Sequence, residues 1–188
     1  MDNRRARTKQ RIFNAYRSLL IEVGYENIAI EDILEKAPCA RSTFYSHFRS
    51  ADDILIEFCD RQFDHIFASE HEKEIDHDYS PYNGTFAPNQ DMAHIFYHAQ
   101  ADQSLLRNVF NSPGSNIISK RIRERLTPFF DKLSRTEEYS IESVPPRIIS
   151  IMMTESFVAL IRHWLDMGCI SKPEHVAHFF IKTFRSVN

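Results

Sequence analysis

Apolar residues recur along this chain at three- and four-residue spacing, the period of a helix with one buried face. Ile12, Ala15, Leu19 and Leu20 mark a first helix from Arg5 to Val23, ended by Gly24-Tyr25. Ile30 to Ala37 forms a second, short amphipathic helix, and Pro38-Cys39-Ala40 separates it from a third at Thr43 to Phe48. Ser50 opens a fourth helix, with Asp53 three residues on as a capping-box-like pair. Its stripe of Ile54, Leu55, Phe58, Phe63, Ile66 and Phe67 carries the helix to about Ser69. Residues 71–90 hold two prolines and a glycine and read as a loop. Two short helices follow, Asp91 to Gln100 and Ser104 to Asn111, then one from Pro113 or Asn116 to Leu133. After the polar stretch 134–143, Pro145-Pro146 opens a long helix to Met167, stopped by Gly168. A last helix starts at Pro173, a favoured first position. No stretch alternates long enough to predict a sheet, and 4 Gly and 8 Pro in 188 residues suit helices, so the predicted fold class is all-α.

The second and third helices have the dimensions of a helix-turn-helix. On the third, Phe44 and Phe48 lie at i, i+4 and anchor one side, while Thr43, Tyr45, Ser46 and His47 offer hydrogen-bonding groups on the other. A short helix held from behind and polar in front suits the major groove of DNA. Charge agrees. Residues 1–50 carry nine Lys or Arg against six acids, whereas the rest carries 14 against 20. A basic head on an acidic body fits a head that faces phosphate. The expected division is 1–50 for DNA binding and 51–188 for a helical body.

The run from Thr8 to about Phe58 resembles the DNA-binding domain of the TetR family of transcription regulators. Lys9-Gln10-Arg11-Ile12, Gly24-Tyr25, Ile28-Ala29-Ile30-Glu31-Asp32-Ile33 and Thr43-Phe44-Tyr45-Ser46-His47-Phe48 carry the likeness. Phe157 to Ile181 is also similar to the C-terminal domain of one subgroup, through its Trp-Leu pair, Gly turn and Pro-Glu helix start. The resemblance implies a regulator, most often a repressor, that binds a pseudo-palindromic operator as a homodimer and is released by a small-molecule effector. It implies that Arg41, Ser42 and Tyr45 reach bases and that Thr43, Ser46 and His47 reach phosphates. Arg49 stands nearest to a phosphate-binding lysine of the family, whose own place is taken by Ala51. Arg4, Arg5, Arg7 and Lys9 form a basic arm that adds salt-sensitive affinity. Three departures stand out: Ala29 and Ala40 replace side-chain caps, Pro38 replaces the usual turn glycine, and Asp52-Asp53 follow Ala51. They keep a second reading open, an adaptor of the same architecture that acts through protein contacts.

The last two helices carry more apolar residues than one buried face needs, Ile148, Ile149, Ile151, Met152, Met153 and Phe157 among them. Pairing with a second copy is the expected cover, and a membrane span is excluded by the polar breaks at 154–156 and 162–163. Phe96, Tyr97, Phe110, Met152, Met153, Phe157 and Trp164 are candidates to line an effector pocket or to be core. His94 with His98, and His175 with His178, have metal-compatible spacing. No Cys or carboxylate cluster accompanies them, so no metal and no cofactor is expected. Cys39, Cys59 and Cys169 are odd in number and support no disulfide framework. No secretory signal is read at the N-terminus, and a cytoplasmic location is expected. No nucleophile elbow, P-loop or dinucleotide fingerprint is present, so no enzyme is expected.

Overall fold

The protein is seen here as a computed structural model that describes residues 2–66 and 90–185. Among these residues stand nine α-helices, one 3-10 turn and no strand, as the periodicity predicts. They are α1 (Asp2–Glu22), α2 (Ile30–Lys36), α3 (Arg41–Tyr45), α4 (Ala51–Ile66), α5 (Gln90–Ala101), α6 (Gln103–Phe110), α7 (Gly114–Leu133), α8 (Pro146–Asp166) and α9 (Pro173–Phe184). The expected end of the fourth helix at Ser69 and the loop at 71–90 lie almost wholly outside the described residues.

The helices form two compact units, Met1–Arg61 with Ser104–Arg121, and Gln62–Gln103 with Ile122–Asn188. This division is one of packing, whereas the boundary expected after residue 50 is one of function. The first turns of α4, most of α6 and the start of α7 belong with the head. Specific contacts hold them there. Asn108 Nδ2 donates to the Leu20 carbonyl at 3.1 Å. Arg121 pairs with Asp60 at 2.6 Å. Gly114 lets the Tyr25 ring approach so closely that a Cβ there would meet it at 3.0 Å.

Inside the first unit, α1 presents Ile12, Tyr16, Leu19 and Leu20 to a core shared with Ile33, Phe44, Phe48, Ile54, Leu55 and Phe58, all buried. Phe13 stacks on Phe58 at 6.1 Å. The α1 helix starts three residues earlier than the sequence predicts. Arg4, Arg5 and Arg7 therefore sit on its first turns and do not form a separate arm. At α2 the missing Ala29 side chain is partly replaced, because the Asp32 carboxylate accepts from the Ala29 amide at 2.8 Å.

In the second unit α5 packs on α9 and α8. Its core is a cluster of rings. Phe96 meets Trp164 edge-on at 5.2 Å and Phe157 at 5.4 Å. Phe157 meets Phe180 at 5.6 Å, and Phe130 lies 6.2 Å from Phe157. Helix α8 is long and apolar enough to cross a membrane by composition alone, but half of that stretch is buried inside the fold. Ile149, Met153, Phe157, Ile161 and Trp164 fill the core, which marks α8 as a core helix. It ends at Gly168, whose φ of 75° suits a residue without Cβ. The Gly168 amide donates to the Leu165 carbonyl and the Cys169 amide to the Trp164 carbonyl, each at 3.0 Å, which satisfies two end carbonyls.

Candidate nucleic-acid interface

The α2–turn–α3 segment is fixed from behind. Phe44 is fully buried and Phe48 nearly so, with their rings 6.1 Å apart. Ala40 supplies no side-chain cap, but its carbonyl accepts from the Thr43 and Phe44 amides at 2.9 and 3.0 Å and so starts α3. The helix is shorter than predicted and ends at Tyr45. Ser46 and His47 lie in the turn that follows, where Ser46 Oγ donates back to the Thr43 carbonyl at 2.7 Å. Arg41, Ser42, Tyr45, Ser46 and Arg49 are exposed, and Thr43 and His47 are half-buried.

The start of α1 borders this turn. Arg5 Nη2 donates to the Ser46 carbonyl at 3.2 Å, and Arg4, Arg5 and Arg7 are exposed. Lys9 behaves differently. Its ammonium pairs with Glu57 at 2.6 Å and lies 5.5 Å over the Phe48 ring. Burial works to raise the Glu57 pKa, but hydrogen bonds from Lys9 and Arg61 outweigh it and hold the carboxyl below its usual value. Lys9 thus serves the head's internal packing as well as its charge. Partial burial, with Arg5 and Lys9 nearby, lowers the pKa of His47.

Acids stand close to several of these cations. Arg41 Nη2 pairs with Glu31 at 2.8 Å, across the helix-turn-helix. The Tyr45 hydroxyl and the Glu31 carboxylate together raise the Arg41 pKa. At the start of α4, Asp53 accepts from the Arg49 amide at 2.7 Å, while its own amide donates to Ser50 Oγ at 3.3 Å. This realises the Ser50–Asp53 pair with the reach displaced by one residue. Asp52 accepts from the Tyr25 hydroxyl at 2.5 Å. Glu31, Asp52 and Glu57 were not singled out from sequence as partners of site residues. Glu31 and Arg41 are ten residues apart across a turn, and no periodic signal joins them.

Of the seven candidate effector residues, four share the core of the second unit, where Phe96, Met153, Phe157 and Trp164 are closely packed. Tyr97 donates to the buried Glu174 at 2.7 Å. Phe110 belongs to the first unit, and Met152 is 56% exposed on the outer face of α8. One step of a helix turns about 100°, which sends Met153 inward and Met152 outward. An open groove of about 340 Å³ lies at the α8–α9 turn, lined by Leu160, His163, Trp164, Met167, Ile170 and Phe179 among others; only Trp164 of the seven reaches it.

Comparison with known proteins agrees with this geometry. Residues 12–58 match the family described as bacterial regulatory proteins, tetR family. Residues 87–186 match a transcriptional regulator C-terminal region of the same family. No curated protein matches the sequence. The chain is similar to a TetR transcriptional regulator from Streptococcus agalactiae 2603V, at 24% identity and a TM-score of 0.74, covering 98% of this chain and 97% of that one. It is also similar to NalD, the secondary repressor of a multidrug efflux pump in Pseudomonas aeruginosa, at 16% identity and TM-score 0.62, covering 96% and 94%. A third similar structure is the dihydroxyacetone kinase operon activator DhaS, at 18% identity and TM-score 0.61, covering 95% and 98%. At these identities the structural likeness is one of fold, whereas the family matches span most of the chain. The chain belongs to the TetR family of transcription regulators, which are not enzymes.

Proposed function

We propose that this regulator is a cytoplasmic homodimer that binds a pseudo-palindromic operator, most simply as a repressor, and lets go when a small-molecule effector alters the body. Residues 1–50 carry the DNA contacts, and 51–188 carry effector binding and dimerisation. The observation that supports DNA binding best is the α2–turn–α3 segment, with Phe44 and Phe48 buried behind it and Arg41, Ser42 and Tyr45 exposed in front. Arg41 has the fork that pairs with guanine, and Thr43, Ser46, His47 and Arg49 flank it for phosphate. Arg4, Arg5 and Arg7 continue the cationic surface from the start of α1, and Lys9 shares its charge with Glu57.

Dimerisation is supported by the outer faces of α8 and α9. Ile148, Ile151, Met152, Met167 and Phe179 are each 46–58% exposed, more apolar surface than a lone helix pair leaves in water. The effector would act in the second unit, where a ligand among Phe96, Met153, Phe157 and Trp164 has to part packed rings. It must bind one spacing of the two heads more tightly than the other, or it shifts nothing.

The adaptor reading has its own support. Glu31 holds Arg41, Glu57 holds Lys9, and Asp52 and Asp53 open α4 where relatives often carry a phosphate-binding lysine. One titration separates the two readings. Anisotropy is measured with the promoter of the protein's own gene cluster and with a scrambled duplex. The operator reading expects a clear preference for the promoter that Arg41→Ala removes at one base pair per half-site. Equal affinity for both duplexes, or none at low salt, favours the adaptor.

A further inference from the structure

We propose that His94 and His98 of α5 form a chelating pair for a divalent transition metal of the nickel, copper and zinc class. The two residues are one helical turn apart and half-buried. Their Nε2 atoms face each other at 2.9 Å, with ring centroids 4.7 Å apart and planes inclined at 42°. Met92, Ile95, Phe96 and Ala99 bury the core-facing sides of the same helix, so the backbone under both imidazoles is held rigidly.

Two nitrogens that face each other at this distance share one electrophile between two lone pairs. In the metal-free protein that electrophile is a proton, and one imidazole donates to the other. A metal ion can bind in its stead, off the line between the nitrogens, with both rings turned toward it. Metal–nitrogen bonds of about 2.0–2.1 Å at a right angle put the two nitrogens about 2.9 Å apart, the cis positions of a tetragonal copper or nickel site. A tetrahedral zinc ion needs about 3.3 Å, which a small opening of the rings supplies. The order of preference is therefore copper over nickel and zinc, which also follows the general affinity series.

Among the described residues, no cluster of three or more His, Cys, Asp or Glu side chains could hold a metal. The pair supplies two ligands and leaves the other positions to water or to a further donor. Asp102 continues the same helical stripe one turn on; it is buried and accepts from Gln62 Nε2 at 3.1 Å. That bond anchors the end of the stripe. Spacing alone did not distinguish this pair from His175 and His178, because i, i+3 and i, i+4 pairs both share a face. The facing Nε2 atoms make the distinction.

The test uses the full-length, untagged protein, stripped with a chelator and titrated with Cu2+, Ni2+ or Zn2+. Calorimetry should give one metal per chain, and the melting temperature should rise with metal. Electron paramagnetic resonance of the one-equivalent Cu2+ protein should show coupling to two imidazole nitrogens. His94→Ala and His98→Ala should each lose most of the affinity, at least tenfold, and the two-nitrogen signature. Circular dichroism should show that both keep the helical content of the metal-free parent. His175→Ala and His178→Ala should bind as the parent does. Failure of the parent protein to bind any of the three metals, or unchanged binding in His98→Ala, would overturn the proposal. Neither outcome depends on whether the head binds DNA.

Discussion

A carboxylate at position 152 tests the pairing of two copies through α8 and α9. Met152 is 56% exposed on the outer face of α8, beside Ile148 and Ile151. In the single chain Met→Glu at such a site changes little, within about 0.5 kcal/mol. In a two-fold dimer the substitution counts twice. Fully burying a Met side chain is worth about 1.5–3 kcal/mol, and roughly half of it remains to be covered, so about 1 kcal/mol is lost per copy. The larger effect is the charge. A carboxylate in an apolar seam either stays ionised at a cost of several kcal/mol or is neutralised, which near pH 7.5 costs about 4 kcal/mol for an ordinary Glu. The two copies together should lose at least about 5 kcal/mol, more than about a thousandfold in the dimer dissociation constant. Sedimentation velocity across a micromolar concentration series reads this directly, with circular dichroism to confirm that the chain keeps its helices. Gln100→Glu, on the exposed side of α5, serves as a control and should leave the dimer intact. A Met152→Glu protein that sediments as the parent does would show that this face is not the dimer seam.

Ala51→Lys should tighten binding to all duplexes, because a cation then stands where Asp52 and Asp53 now open α4; an unchanged affinity in anisotropy titrations would exclude this route for phosphate. Arg5→Ala should weaken all sequences alike and lower the slope of log affinity against log salt by about 1, measured over a salt series. His47 has a lowered pKa and is neutral near pH 7, so folding stability is lost as pH falls from about 6.5 toward its folded value. A phosphate at His47 would raise that pKa, so DNA affinity should grow over the same interval, and His47→Ala should flatten the pH profile. Tyr16 is 1% exposed and its hydroxyl finds no hydrogen-bond partner among the described residues. Tyr16→Phe removes a buried polar group and leaves little void, so urea unfolding should show about 1–2 kcal/mol of added stability. A loss of similar size would mean that the hydroxyl is satisfied in solution.

How much of this was readable in the sequence depends on the range of the interaction. The period of apolar residues located α7, α8 and α9 within a few residues and the start of α4 within one, because each buries one long stripe. The Phe44 and Phe48 anchors were legible for the same reason. Ends were less so: α3 stops at Tyr45 because the Ser46 hydroxyl bonds back to Thr43, a local choice that periodicity does not register. The Glu31–Arg41 and Lys9–Glu57 pairs were not legible, since they join residues ten and 48 positions apart through tertiary placement. Nor was the outward turn of Met152, for Met152 and Met153 are equivalent in composition and differ only in helical phase.

The first unit is built from two separate stretches of chain, and this bears on how the head comes into being. During synthesis, residues 1–61 emerge long before Asn108, Gly114 and Arg121. Until those arrive, the Leu20 carbonyl lacks its amide donor, Asp60 lacks its guanidinium and the Tyr25 ring lacks the helix start that covers it. The head therefore completes its packing only after roughly two thirds of the protein has been made, although domains commonly fold from the N-terminus as they appear. A proteolytic piece that ends at Arg61 would carry every residue of the helix-turn-helix and still lack part of its support. The shortest N-terminal piece that keeps all of the first unit's own contacts extends to Arg121.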